Sequence, residues 1–148
     1  MTDTSPAAPV GFDALARQII AGAPDAILYT DRNDIIRFWN GGCVRIFGFS
    51  AEEATNQPLA IIIPENLRDR HRRGHEETMR TGRTKYGGGD LLAVPAMRKD
   101  GTRISVEFSI IPFRDADGAM IGMAAIMRDV TKRFEETRAL RRQLAERT

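Results

Sequence analysis

The chain has 148 residues, 42% of them hydrophobic and 28% charged, with a formal net charge of +2. That is one domain with a real core, too short for a sensor joined to an effector, and neither disordered nor membrane-embedded in composition. So small a net charge makes no case for nucleic acid, and no aromatic residues interleave as a stacking platform among Arg68, Arg70, Arg72, Arg73, Arg80 and Arg83. The single cysteine, Cys43, excludes an internal disulfide and a zinc–cysteine cluster. No apolar run approaches a transmembrane length, and Met1 to Pro6 lack the basic and apolar regions of a signal peptide, so the expected location is the cytoplasm and no membrane partner is expected.

Residues 1–10 are polar and small. Phe12, Leu15, Ala16, Ile19 and Ile20 then follow helical spacing, and Gly22 with Pro24 ends the helix. Two strands follow, Ala26 to Thr30 and Ile35 to Trp39, joined through the turn-rich Asp31-Arg32-Asn33-Asp34. Cys43 to Phe47 make a short helix stopped by Gly48, and Ser50 with Glu53 reads as a capping box that starts another. Leu59 to Ile63 is apolar and ends at Pro64, after which a helix is predicted from about Glu65 to Thr81, stopping at Gly82.

Gly87-Gly88-Gly89 precedes the apolar Leu91-Leu92-Ala93-Val94. Asp100-Gly101 marks a hairpin turn, and Ile104, Val106, Phe108 and Ile110 alternate with polar residues so as to share one face. A second turn at Asp117-Gly118 leads into a strand from Met120 to Met127, completing a three-strand meander. From Val130 the chain is charged and helical, with Phe134, Thr137, Leu140 and Leu144 on an amphipathic stripe that needs a partner. Five strands with helices grouped between the second and third make an α+β fold in which helices cover one sheet face.

Both histidines, His71 and His75, lie in the arginine-rich helix, one turn apart on one face. A neutral imidazole there can bind a metal, move a proton or rest in water. A shared divalent ion lacks a visible third ligand, and Arg72 stands where a zinc protease has glutamate. The glycine run is not followed by the lysine and hydroxyl of a phosphate loop, and no Gly-x-Ser-x-Gly nucleophile motif occurs, so no enzyme is expected.

Four motifs, in order, resemble the PAS sensor family: Ile36-Arg37-Phe38-Trp39-Asn40, Ile46-Phe47-Gly48-Phe49-Ser50-Ala51-Glu52-Glu53, Arg98-Lys99-Asp100-Gly101 and Arg128-Asp129-Val130-Thr131. The resemblance implies a five-stranded antiparallel sheet in order 2-1-5-4-3, with residues 1–24 as an N-terminal tail and helix, 25–130 as the PAS domain and 131–148 as a signalling or dimerisation helix. Within the family, Ile63 to His71 is similar to the stretch before the proximal histidine of FixL-type haem oxygen sensors. On that likeness His71 is the iron ligand of a b-type haem, His75 is its neighbour and first substitute, and Leu91, Leu92, Ile104, Val106, Phe108 and Ile110 line the cofactor.

The stimulus would then be a diatomic gas or redox state. The arginine that FixL-type sensors place on the third strand, and the methionine of another haem group, are both missing from Gly89-Asp90-Leu91-Leu92, which implies an apolar distal side suited to carbon monoxide or nitric oxide. Flavin is the other cofactor of the fold, but the Asn-Cys-Arg-Phe sequence of light-sensing members is absent and Cys43 lies in an earlier helix. The implied partners are a second copy, forming a homodimer through the terminal helices, and an output protein or domain such as a histidine kinase or cyclase. The alternative of a different class is a cofactor-free PAS module for dimerisation or metabolite binding.

Overall fold

The structure is a computed structural model and describes residues 2, 8–83 and 92–147. Leu91 and the side chain of Leu92, two of the expected cofactor contacts, fall outside the described residues, as do Asp90 and the glycine run. Helix α1 (Phe12–Gly22) leads into a five-stranded antiparallel sheet made of β1 (Ala26–Asp31), β2 (Ile36–Trp39), β3 (Leu92–Met97), β4 (Arg103–Arg114) and β5 (Met120–Asp129). The strand order is β2-β1-β5-β4-β3, as expected. Helices α2 (Gly41–Phe47), α3 (Ala51–Ala54) and α4 (Arg68–Thr81) lie between β2 and β3, and α5 (Thr131–Glu146) closes the described chain. No helix among the described residues is long and apolar enough to cross a membrane.

The register explains which face carries the core. Residues directly opposite one another share a face, and Leu28 pairs with Trp39 and Ala125, Ile110 with Ala125, Phe108 with Met127, Val106 with Val94, and Ile104 with Ala96. The alternation in β4 therefore puts Ile104, Val106, Phe108 and Ile110 on the inner face, as the sequence pattern predicts. Ile104 and Val106 are buried in one cluster with Ala26, Leu28, Ile36, Cys43, Ile46 and Phe47, and Phe108 packs against it. Pro95 sits within β3, where a missing amide donor is tolerated because β3 is an edge strand.

Polar caps fix the short helices. Asn40, only 4% exposed, accepts from Ile27 N and Cys43 N through Oδ1 (both 2.9 Å) and donates from Nδ2 to Ile20 O and Asp25 O, tying α1, β1 and α2 together. The capping box forms at α3, with Glu53 N–H on Ser50 Oγ (3.0 Å) and Ser50 N–H on Glu53 Oε1 (2.9 Å). At Gly42 a Cβ would lie 2.0 Å from Asp25 O, so only glycine admits this approach of α2 to the β1 entry.

Two boundaries differ from the sequence expectation. The apolar segment is a 3-10 turn, Leu59–Ile62, and the long helix opens with another, Glu65–Leu67, becoming α-helical only at Arg68. Pro64 disfavours a helical residue before it, and Ile63 is accordingly extended (φ −104°, ψ 126°), which separates the two turns.

Candidate functional site

Helix α4 buries no residue completely. His71, His75, Thr78 and Met79 are partly covered along a stripe of helical spacing, and most of their neighbours are exposed. This stripe meets the β1–β2 hairpin turn through polar atoms.

The turn is built to present one carboxylate. Asp31 Oδ1 accepts from Asn33 N (2.9 Å) and Ile35 N (3.1 Å), and Asp34 N–H donates to Asp31 O (3.0 Å). Burial pushes the Asp31 carboxyl up, but the Arg37 hydrogen bond and the two backbone donors outweigh it and hold Asp31 below the ordinary value. Asp34 itself takes a left-handed conformation (φ 63°), which aspartate and asparagine tolerate better than most residues.

Asp34 and both histidines come together here. His71 Nε2–H donates to Asp34 Oδ2 at 2.7 Å, His75 Nε2–H donates to Arg32 O at 2.9 Å, and His75 Nδ1 lies 3.6 Å from Asp34 Oδ1. The imidazoles stack with centroids 6.4 Å apart. Their surroundings differ from the sequence reading, which made His71 the inward-facing residue. The His71 side chain is 30% exposed, whereas that of His75, expected at a surface or rim, is only 8% exposed.

The turn also reaches the strands. Arg32 donates through Nε and Nη2 to Met120 O (3.3 and 3.2 Å) at the start of β5. At the far end of β5, Asp129 Oδ1 accepts from Thr131 N (3.0 Å), and Thr131 Oγ1 accepts from Ser105 N of β4 (2.9 Å) as α5 begins. Arg128 makes a paired contact with Asp25 (3.2 and 3.0 Å), giving the Arg128-Asp129-Val130-Thr131 motif a mechanical reading: it clamps the root of α5 to β1 and β4.

Asp34 and Arg32 are the residues that sequence reasoning missed. Asp34 stands 37 positions from His71, and its only sequence signal was membership of a turn-rich run. The four expected strand residues lie together on the inner face, but two grooves of ≈ 290 and ≈ 380 Å³ open elsewhere, beside Phe134 under α5 and between Arg45 and Arg128. Neither groove is lined by His71, His75 or those strand residues. Among the described residues no group of three or more His, Cys, Asp or Glu is arranged to hold a metal ion. Cys43 is fully buried, its thiol pushed up to about 12 chiefly by that burial.

Comparison with known proteins sets this architecture in context. The model of the PAS fold family matches residues 14–130. An uncharacterized protein of Azorhizobium caulinodans is 30% identical over 131 residues, covering 88% of this chain and 17% of its own. The sensor protein FixL of Bradyrhizobium diazoefficiens is 33% identical over 94 residues, covering 64% of this chain and 18% of its own. The chain thus spans less than a fifth of the length of these curated relatives. Among solved structures, the PAS domain of a Colwellia psychrerythraea protein superposes with a TM-score of 0.71 at 23% identity, over 82% of this chain and 99% of that one. An RNA-binding light-oxygen-voltage receptor also reaches 0.71, at 20% identity over 99% of this chain and 41% of that one. At these identities the structural likeness concerns the fold alone.

Proposed function

This chain belongs to the PAS family, and from that premise we propose that it is a sensory module in which a change at α4 is passed through the β1–β2 turn and β5 to α5. The observation that carries this reading is a pair of polar contact sets at the two ends of β5, joined by the strand itself. The first goes from the α4 histidines to Arg32 and Asp34 and from Arg32 to Met120; the second goes from Asp129 to Thr131 at the root of α5. Helix α5 is the natural output element: Leu140 and Leu144 are 59% and 65% exposed, a stripe suited to a second copy or to the continuing helix of an output protein such as a histidine kinase. Hydrogen exchange of Asp34→Asn against the parent tests the route. Amides of α4 and of the first turns of α5 should both exchange faster while β1 and α2 stay protected; an α5 indistinguishable from the parent overturns the reading.

A b-type haem on His71, responding to a diatomic gas or redox state, is the second reading. The observation in its favour is the FixL relative, together with the Ile63–His71 likeness. The residues as arranged do not fit it. The Nε2 that iron would need is engaged by Asp34, and Ile104 and Val106 are closed into the core. The cofactor-free form of the module is the alternative to it. A visible spectrum after haem-supplemented expression decides between them: a Soret band that disappears in His71→Ala would establish haem, and a colourless parent would dismiss it. Flavin adduct chemistry is disfavoured because the Asn-Cys-Arg-Phe sequence of light-sensing members is absent and Cys43 is buried in α2, an earlier helix.

A further inference from the structure

The groove of ≈ 290 Å³ under α5 lies on the outer face of the sheet, away from the core. Ala93 of β3 pairs with Glu107 of β4, and Glu107 alternates with the inward-facing Val106 and Phe108, so both wall residues point outward. The other wall is α5, which contributes Phe134, Thr137, Arg138 and Arg141 at i, i+3, i+4 and i+7, one face of the helix. Both walls are preformed. Val130 N–H donates to Ser105 O (2.9 Å) and Thr131 Oγ1 accepts from Ser105 N (2.9 Å), fixing the root of α5 on β4.

The charges in this groove do not cancel. Glu107 is ion-paired with Arg133 and lies directly opposite Arg128 on β5, so its carboxylate is already compensated. Arg138 and Arg141 have no carboxylate within ion-pair distance among the described residues. Glu135 and Glu136 of the same helix do not line the groove. The floor, by contrast, is apolar: Ala93, Val130 and Phe134, the last 44% exposed. An apolar floor beneath two uncompensated guanidiniums is complementary to a molecule that is apolar at one end and anionic at the other.

We propose that this groove binds an apolar monocarboxylate, with its hydrocarbon on Phe134, Val130 and Ala93 and its carboxylate on Arg138 and Arg141. At ~30 Å³ for each water-sized group, an aliphatic or aromatic acid of about ten heavy atoms fills the space. Guanidinium forks suit a carboxylate because they donate two parallel hydrogen bonds to it, and the Thr137 hydroxyl on the same helix face is a further donor. An inorganic anion would satisfy the arginines and leave Phe134 in water, and a neutral hydrocarbon would do the reverse. The bound acid touches β3, β4 and α5 together, so it ties α5 to the sheet at a point that the α4 contacts do not reach. Binding is a property of this groove alone and stands whether or not the α4-to-α5 route does.

Octanoate, an acid of that size, is the probe, titrated into the full chain while backbone amide shifts are followed by NMR. Saturable shifts are expected at Ala93, at Glu107 and from Val130 to Arg141, with slower amide exchange in the first turns of α5 once the groove is filled. The double variant Arg138→Gln, Arg141→Gln should weaken binding about ten-fold, the loss of a charge-assisted hydrogen bond. Arg142→Gln makes the same kind of charge change on the same helix outside the groove, and should leave the affinity nearly unchanged. Glutamine is close to arginine in helix propensity, so α5 is kept in both variants. 1-Octanol and inorganic phosphate, tested on the parent, should each bind about ten-fold more weakly than octanoate or worse. The proposal is overturned by an absence of saturable binding, by shifts confined to the inner face of β4, by octanol matching octanoate, or by an equal loss in Arg142→Gln. A dimer in sedimentation that octanoate neither enters nor dissociates would overturn it too, by giving the groove to a second copy.

Discussion

Helices α2 and α4 are both carried between β2 and β3, yet α2 buries Gly42, Cys43, Ile46 and Phe47 while α4 buries nothing completely. Apolar burial is non-directional and summed over many contacts, so α2 can lose one and stay in place. Helix α4 is held by a few directional bonds at one end of the sheet, to Asp34, to Arg32 O and, beyond its last turn, from Arg114 to Gly82 O. Each such bond contributes about 1 kcal/mol. Opening of α4 is therefore separable from unfolding of the domain, which is the property a signalling element requires.

The largest expected effect sits on the α2 side, at its one indispensable polar residue. Asn40→Ala removes the acceptor of Ile27 N and Cys43 N and the donor to Ile20 O and Asp25 O, in a site 4% exposed. A global loss of about 3 kcal/mol is expected in urea unfolding. A loss confined to α1 would break the comparison, because it would make the cap local where the packing is cooperative.

His71→Ala should do the reverse. Loss of the 2.7 Å bond to Asp34 should weaken the docking of α4 by about 1 kcal/mol, read as about five-fold faster amide exchange in α4 with the global unfolding midpoint nearly unchanged. An equal drop in the global midpoint would show that α4 unfolds with the core and would remove the distinction.

The same contrast governs what the sequence discloses. The β4 face was legible because alternation is a local signal, and the Ser50 to Glu53 capping box because its two partners are three residues apart. The N-cap role of Asn40 had a weaker signal, a strand ending in Asn-Gly-Gly, and its bonds back to Ile20 and Asp25 had none. The pairing of His71 and His75 on one face followed from helical spacing, but their partner did not. Asp34 lies across the fold, and a helix with almost no apolar stripe gives no hint of which side it buries, so the enclosure of His75 was invisible. The 3-10 turns at Leu59–Ile62 and Glu65–Leu67 were blurred for a similar reason, since short apolar runs fit several local geometries.

The smallest effect sharpens the comparison from the apolar side. Glu53 is held down to about 2 mainly by its hydrogen bond from Lys99, with Ser50 N–H adding to it. Because the folded value lies below the ordinary 4.5, the contribution of this contact is present above that range and is lost as pH falls toward 2. In Lys99→Ala the Glu53 titration, followed through its carboxyl carbon shift, should move up toward the ordinary value. The unfolding midpoint near neutral pH should scarcely change, because both side chains are solvent-exposed and α3 is fixed by the fully buried Ala54 and by the Ser50 cap. A polar contact removed from the α2–α3 side then shifts a titration and little else, whereas one removed from α4 releases an element. If Lys99→Ala instead loosened α3 as much as His71→Ala loosens α4, polar attachment would be general across the helical layer, and α4 would have no special claim as the element that moves.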